Sequence, residues 1–470
     1  MKIIVLGAGR VGSSVAESLV SEANDITVID TDRARVADLQ QRFDLRGLVG
    51  NATLPSMLGE AGAADADMLI AVTSTDETNL VACKIAADLF NVPTRIARVR
   101  NVELQQHPKL TGEQGFRATH IIWPEQSVTD YILKLVEFPE ALQVLEFAEG
   151  LVSLIAVRAV AGGPLVSRPI QDLRRHIPDV DTRIVAIFRK DRAIQCEGET
   201  MIQPGDEVFF LSASKDIRTV MGELRRMDKP VRRVMIAGGG NIGLRLARAL
   251  DTGEGIDGGA RFNVKVIEFN KRRCERLAGE LSSRVLVLNG DATDEDLLQD
   301  EGVGETDLFV ALTNDDENNI MSALLARRLG ARRTIALINR KSYGELMQGG
   351  QIDIAISPSH ATLSALLRHV RRGDVVAAHS LRRGAAEALE IIAHGDAKSS
   401  RVIGRRIDGI ELPKGATIGA VVRGPGDGAR VLIAHHDTTI ESGDHLIVFV
   451  ANKRMIQRVE KLFAVGVGFF

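Results

Sequence analysis

Four segments of this chain occur twice, in the same order and at nearly constant separation. Gly7-Ala8-Gly9-Arg10-Val11-Gly12 returns as Gly238-Gly239-Gly240-Asn241-Ile242-Gly243, and Gly50-Asn51-Ala52-Thr53 as Gly290-Asp291-Ala292-Thr293. Ala71–Asn79 returns as Ala311–Asn319, and Ile202–Phe210 as Ile440–Val448. The separations run from 231 residues (Gly7 to Gly238) to 240 (Ala71 to Ala311). A period this long means one folding unit written twice, so any architecture must accommodate two copies. The drift in period traces to Asp251–Arg261, a Gly-rich insertion that the first half lacks.

Within each half the texture changes once. The first part alternates short apolar runs (Lys2–Leu6, Asp25–Ile29, Arg46–Val49, Met68–Val72, Arg95–Val99) with amphipathic stretches such as Val11–Ser21 and Asn79–Phe90. Short β-branched runs separated by helices indicate βαβ units and a parallel sheet. A helical stretch, Pro124–Val136, leads into short alternating runs (Val152–Val157, Arg183–Phe188, Glu207–Leu211) and a closing helix, Lys215–Leu224. Ser359–Val370 and the residues after it repeat that arrangement. The fold class expected is therefore α/β: two tandem Rossmann-like, doubly wound domains, each followed by a small α+β domain. The boundaries read as 1–123, 143–227, 232–357 and 377–461, with Met227-Asp228-Lys229-Pro230 as the linker between halves.

Composition narrows the function. Apolar residues make up 45% of 470, but aromatics only 4%, so the cores must be aliphatic, as buried parallel strands require. Lys and Arg number 59 against 62 Asp and Glu, a net charge of −3, which argues against a nucleic-acid partner. No uninterrupted apolar run reaches the roughly 18 residues of a membrane span, and no signal-peptide cleavage region follows Met1. Cys83, Cys196 and Cys274 are odd in number and far apart, which fits neither a disulfide framework nor a zinc site. A soluble, multidomain chain of a reducing compartment is expected.

The repeated glycines carry the chemistry. Gly7-x-Gly9-x-x-Gly12 follows a strand and opens a helix, and Asp30 ends the next strand. In such a fingerprint the first Gly makes the tight turn, the second admits a pyrophosphate to the backbone, and the third lets helix and strand pack closely. The helix N-terminus offers free N–H groups to phosphate, and Asp30 is placed to accept from a ribose diol, favouring NAD(H) over NADP(H). In the second half Gly238, Gly240 and Gly243 repeat the pattern, with Glu268 as the acid. Thr73-Ser74 and Thr313-Asn314 end the fourth strands at the ligand-binding edge, where they line a nucleoside, cap the next helix, or do both. Arg98 is suited to bidentate pairing with phosphate, but its counterpart is Leu337, with Asn339 and Arg340 displaced; Asn51 likewise corresponds to Asp291. The two sites should differ in affinity or in preferred nucleotide.

Other clusters read more simply. His435-His436-Asp437 lacks a further metal ligand and reads as a surface turn. Arg368, Arg371, Arg372, Arg382 and Arg383 read most simply as a solvated face, with a phosphate or acidic-partner surface as the alternative. No Tyr-x-x-x-Lys pair occurs, and no His–Asp couple falls beside a nicotinamide. A dehydrogenase needs a general acid or base and a domain shaped around a second substrate, so an NAD-dependent dehydrogenase-like enzyme is the weaker alternative. Duplicated nucleotide domains without chemistry suit a ligand-gated regulator.

The stretches Asp67–Asn79, Asn314–Ala323 and Gly419–Gly424 resemble the TrkA family, the peripheral nucleotide-binding subunits of bacterial Trk potassium uptake systems. The resemblance covers essentially the whole chain, each half being similar to an RCK (KTN) unit, although the Asp251–Arg261 insertion looks longer than usual. It implies a non-enzymatic, cytoplasmic protein, peripheral on the inner face of the plasma membrane. It further implies a ring-like homo-oligomer, a tetramer, docked on a membrane-embedded Trk potassium channel subunit and gating it. NAD(H), with ATP or ADP at the same sites, would be the ligand. The family's binding positions carry over to Gly7, Ala8, Gly9, Arg10, Val11, Asp30, Thr73, Ser74 and Arg98. In the second half they carry over to Gly238, Gly239, Gly240, Asn241, Ile242, Glu268, Thr313 and Asn314.

Overall fold

A computed structural model describes the chain except for residues 21, 23, 191, 227–228, 255–261, 341, 345–351, 372–373, 382–385, 425 and 465–470. Most of the Asp251–Arg261 insertion, Met227 and Asp228 of the linker, and Arg372, Arg382 and Arg383 thus lie outside the described residues. Arg371 of that arginine group is not on a solvated face: it is buried and donates to both carboxylate oxygens of Glu387, at 2.6 and 3.1 Å.

The apolar runs of the first half become β1 (Lys2–Leu6), β2 (Asp25–Asp30), β3 (Arg46–Val49), β4 (Met68–Ala71) and β5 (Thr94–Arg98), joined by a short β6 (His120–Ile122). They form one parallel sheet in the order β3-β2-β1-β4-β5-β6. Ile3, Ile4, Val5 and Leu6 are all buried, as expected of a central strand with helices on both faces. Chain direction across the sheet reverses between β1 and β4, and a doubly wound sheet binds ligands at that switch point.

A five-stranded antiparallel sheet follows: β7 (Ala141–Phe147), β8 (Val152–Arg158), β9 (Thr182–Arg189), β10 (Arg192–Ile194) and β11 (Glu207–Ala213), in the order β10-β9-β11-β8-β7. The second half repeats both sheets. Strands β12 (Arg233–Ala237), β13 (Asn263–Glu268), β14 (Leu286–Asn289), β15 (Leu308–Ala311), β16 (Thr334–Leu337) and β17 (Ile354–Ile356) are parallel, ordered β14-β13-β12-β15-β16-β17. Strands β18 (Val375–Leu381), β19 (Ala386–Ile392), β20 (Ala416–Arg423), β21 (Arg430–Ile433) and β22 (His445–Val450) are antiparallel, ordered β18-β19-β22-β20-β21. The fold is α/β, two Rossmann-like sheets each followed by a small antiparallel module.

Packing does not follow the sequence halves. The chain divides into two compact units. The first takes the described residues of Met1–Asp130, Arg233–Thr252 and Arg261–Leu366, which hold both parallel sheets; the second takes those of Tyr131–Arg232, Gly253–Ala260 and Leu367–Phe470, which hold both antiparallel sheets.

In the first unit the two Rossmann-like sheets are bridged by Arg245, whose guanidinium donates to Gln126 Oε1 (2.8 Å) and Gln105 Oε1 (2.9 Å). In the second unit the antiparallel sheets share a core. The rings of Phe209 and Phe449 lie 6.2 Å apart, and Phe147 sets its edge against His379 at 5.1 Å. Across the same junction Arg183 donates to the Ala434 carbonyl, and His435 of the His-His-Asp stretch meets Asp181 at 3.1 Å. Among the described residues no cluster of three or more His, Cys, Asp or Glu is placed to hold a metal ion. The fourth repeated segment is structural: buried Asp206 and Asp444 each bind a strand arginine, Arg189 and Arg423, at 2.8 Å, and close the turn by accepting from Gln203 N and Glu441 N at 2.8 Å.

Candidate functional site

Gly7 leaves β1 at φ +100°, a left-handed conformation that a side chain would strain, and a Cβ there would sit 3.0 Å from Thr73 Cα. Gly12 packs so closely on the first turn that a Cβ would fall 1.7 Å from Gly7 O. Gly238, at φ +106°, and Gly243, whose Cβ would lie 1.9 Å from Gly238 O, repeat both constraints. Helices Arg10–Val20 and Asn241–Thr252 therefore start hard against the switch points of their sheets, with N-termini open to an anion.

The acids hold the glycine turns. Asp30 Oδ2 accepts from Ala8 N at 2.5 Å and Oδ1 from Asp32 N at 2.8 Å. Glu268 does the same toward Gly239 N and Asn270 N, both at 2.8 Å, but also takes Arg273 Nη1 at 3.2 Å. A carboxylate offers about four lone-pair positions, so Asp30 keeps room for a diol while those of Glu268 are largely taken.

Across each switch point stands a strand end tied by one buried asparagine. Asn79 Oδ1 accepts from Thr73 N (2.8 Å) and Thr73 Oγ1 (2.7 Å), and its Nδ2 donates to Arg98 O (2.9 Å). Asn319 makes the same bonds to Thr313 and Leu337 at 2.8, 2.7 and 2.9 Å. Both asparagines are 0% exposed, so each fixes the edge without touching a ligand. Both asparagines lie within the repeated segments Ala71–Asn79 and Ala311–Asn319, at their last position.

Arg98 is buried, donates through Nη2 to Thr73 O, and has no hydrogen-bond partner at Nε. Burial, helped by nearby Arg100, lowers its pKa to about 10, so it stays cationic at neutral pH. Its counterpart is Leu337, as the matched registers Ala71↔Ala97 and Ala311↔Ala336 require.

Of the binding positions that the family resemblance implies, all except Gly239 line one cleft of about 1850 Å³ in the first unit. Gly239 instead has its N–H on Glu268. The cleft serves both halves: Gly7, Asp30, Thr73 and Arg98 line it with Gly238, Glu268, Thr313 and Asn314. It also takes Arg100, Glu125, Phe269 and Arg273, which the sequence did not single out.

Comparison with known proteins fits this geometry. The TrkA-N domain model matches residues 3–123 and 234–358, and the TrkA-C domain model matches 154–225 and 396–464. A Trk system potassium uptake protein TrkA from Halomonas elongata is 54% identical over 470 residues, covering 100% of both chains. One from Vibrio alginolyticus is 52% identical over 464 residues, 98% of each. A TrkA homolog from Archaeoglobus fulgidus is 32% identical over 464 residues, 98% of this chain and 100% of its own. The crystal structure of the GsuK RCK domain superposes with a TM-score of 0.59 at 18% identity, covering 98% of this chain and 95% of that one. The GsuK channel bound to NAD gives the same score at 17% identity, covering 98% and 79%. The fold is thus shared with RCK domains, and by the family matches along its length the chain belongs to the TrkA family of Trk system potassium uptake proteins.

Proposed function

We propose that this chain is the nucleotide-binding regulatory subunit of a potassium uptake system. NAD(H), with ATP or ADP at the same sites, binds at the carboxyl edges of the two parallel sheets. Its contacts are the fingerprint backbones, Asp30 and Glu268, the Thr73-Ser74 and Thr313-Asn314 strand ends, and Arg98. The single observation that carries this reading is the pair of glycine turns opening, with their carboxylates, onto one cleft at the switch points.

Binding energy that differs between two arrangements of the chain does the work, with no bond made or broken. A solved channel of the same fold is described as bound to NAD, which supports the choice of ligand. Among the described residues no helix is long and apolar enough to cross a membrane. The potassium flux this subunit regulates passes through a separate membrane-embedded Trk subunit. The chain works as a cytoplasmic protein, peripheral on the inner membrane face and assembled as a tetrameric ring, with the domains 1–123, 143–227, 232–357 and 377–461 as its moving parts. The family matches give no support to a dehydrogenase.

Calorimetric titration of NADH, NAD⁺, ATP and ADP into the purified chain tests the binding claim. Saturable binding of at least one, without turnover, is the expected result; no heat from any of them overturns it.

A further inference from the structure

The two halves conserve their frame and exchange their side chains. At the phosphate end the first half presents Arg10, Arg98 and Arg100 to the cleft; in the second half the same positions are Asn241, Leu337 and Asn339. The second half therefore has no guanidinium at these three positions, and its arginines in the cleft, Arg273 and Arg276, stand on the ribose side with Glu268. Beyond the acid the exchange runs the other way. Thr31 follows Asp30, whereas Phe269 follows Glu268, lines the cleft and is 78% exposed, the most exposed large apolar side chain among the described residues.

That exposure sits on a fixed backbone. Asn289 Nδ2 donates to Phe269 O at 2.9 Å and to Glu268 O at 3.0 Å. The first half has no such clamp, because Val49 occupies that register position opposite Asp30 as Asn289 does opposite Glu268. The ribose side is altered as well: Arg273 caps Glu268, while its counterpart Arg35 pairs with Asp32 and leaves Asp30 open. An aromatic face held out in a cleft, one residue past a ribose-side carboxylate, suits a flat π-system, since a stacked base gains from every ring atom it covers.

We propose that the second site recognises its ligand chiefly by the adenine base, stacked on Phe269, while the first recognises the phosphate chain through Arg98 and Arg100. The proposal rests on the nucleotide-binding reading above and assigns each half a different end of the same ligand class. Affinity at the first site climbs along adenosine, AMP, ADP and ATP as phosphates reach the guanidinium groups, whereas the second site responds little to phosphate number.

The test uses the full chain and two probes that separate the ends: adenosine, a base without phosphate, and inorganic tripolyphosphate, phosphates without a base. Phe269→Ala should weaken adenosine binding about five- to hundredfold, the usual worth of one stacked base, and leave tripolyphosphate unchanged. Arg98→Gln with Arg100→Gln should do the reverse. Phe269→Trp, which keeps a ring, should bind adenosine at least as well as the parent. Adenosine affinity unchanged in Phe269→Ala overturns the proposal, as does an altered oligomer mass with adenosine binding intact, which would place Phe269 under another copy of the chain. If ADP and NADH also fail to bind the parent chain, the nucleotide reading itself has failed; if they bind and adenosine is indifferent to Phe269, only the division of labour has.

Discussion

At the scale of single residues, the sharpest difference between the halves is how free each carboxylate is. Asp30 has two backbone donors and room for a diol; Glu268 carries Arg273 besides. Asp30→Ala should therefore lower NADH affinity at the first site at least about tenfold, because each lost charge-assisted hydrogen bond is worth roughly 1.5–3 kcal/mol. Calorimetry checks this; unchanged affinity in a folded variant removes Asp30 from the site. The acids, glycines and Arg98 were legible because spacing alone places them at strand ends. Phe269 was not, since one apolar residue after a strand reads as core until its exposure is seen. Asn79 and Asn319 were hidden for the opposite reason: a buried amide serving the backbone has no periodicity to betray it.

His379 supplies a second residue-scale prediction. Burial pushes its pKa from 6.5 down to about 4, against an opposing hydrogen bond with the Glu146 backbone and with Arg368 adding to the shift. Between those values the unfolded chain binds a proton that the folded one refuses. The contribution is complete above about pH 6.5 and shrinks as pH falls toward about 4, by up to about 3 kcal/mol. Thermal unfolding of the parent and His379→Phe across that window should show a pH slope that the variant flattens. Parallel slopes would contradict it.

Among elements, the strand–glycine–helix junctions leave no room for a side chain at Gly12 or Gly243. A Cβ at Gly12 or Gly243 would enter the van der Waals radius of the Gly7 or Gly238 carbonyl, so valine must lever the helix off its strand. Gly12→Val should abolish binding at the first site only, and Gly243→Val at the second only, read by titration with ADP. Loss of both sites from either change would make the halves one cooperative unit. Asn79→Ala should lower the melting temperature, since it orphans Thr73 N and Arg98 O at about 1–3 kcal/mol for each buried group, and an unshifted melt would show that water replaces the amide. Most elements were readable from period and glycine placement. The three-residue strands β6, β10 and β17 were not, because three residues are too few to show an alternation.

For the molecule as a whole, the duplication was plain in the sequence but the packing partners were not. Each half gives its parallel sheet to one compact unit and its antiparallel sheet to the other, a choice made by long-range apolar contacts such as Phe209 on Phe449. That arrangement places both glycine turns on one cleft, so a ligand in either half can bias the same unit. A coupling of 1–3 kcal/mol, ordinary for allostery, would change open probability by roughly 5- to 150-fold at low occupancy. The decisive measurement is the potassium current through a reconstituted Trk membrane subunit carrying this protein, recorded with and without ATP, ADP and NADH. Currents that change severalfold with at least one nucleotide, and lose that response when Gly12→Val and Gly243→Val are combined, are the predicted result. Currents indifferent to every nucleotide, in a complex shown to be assembled, would contradict it.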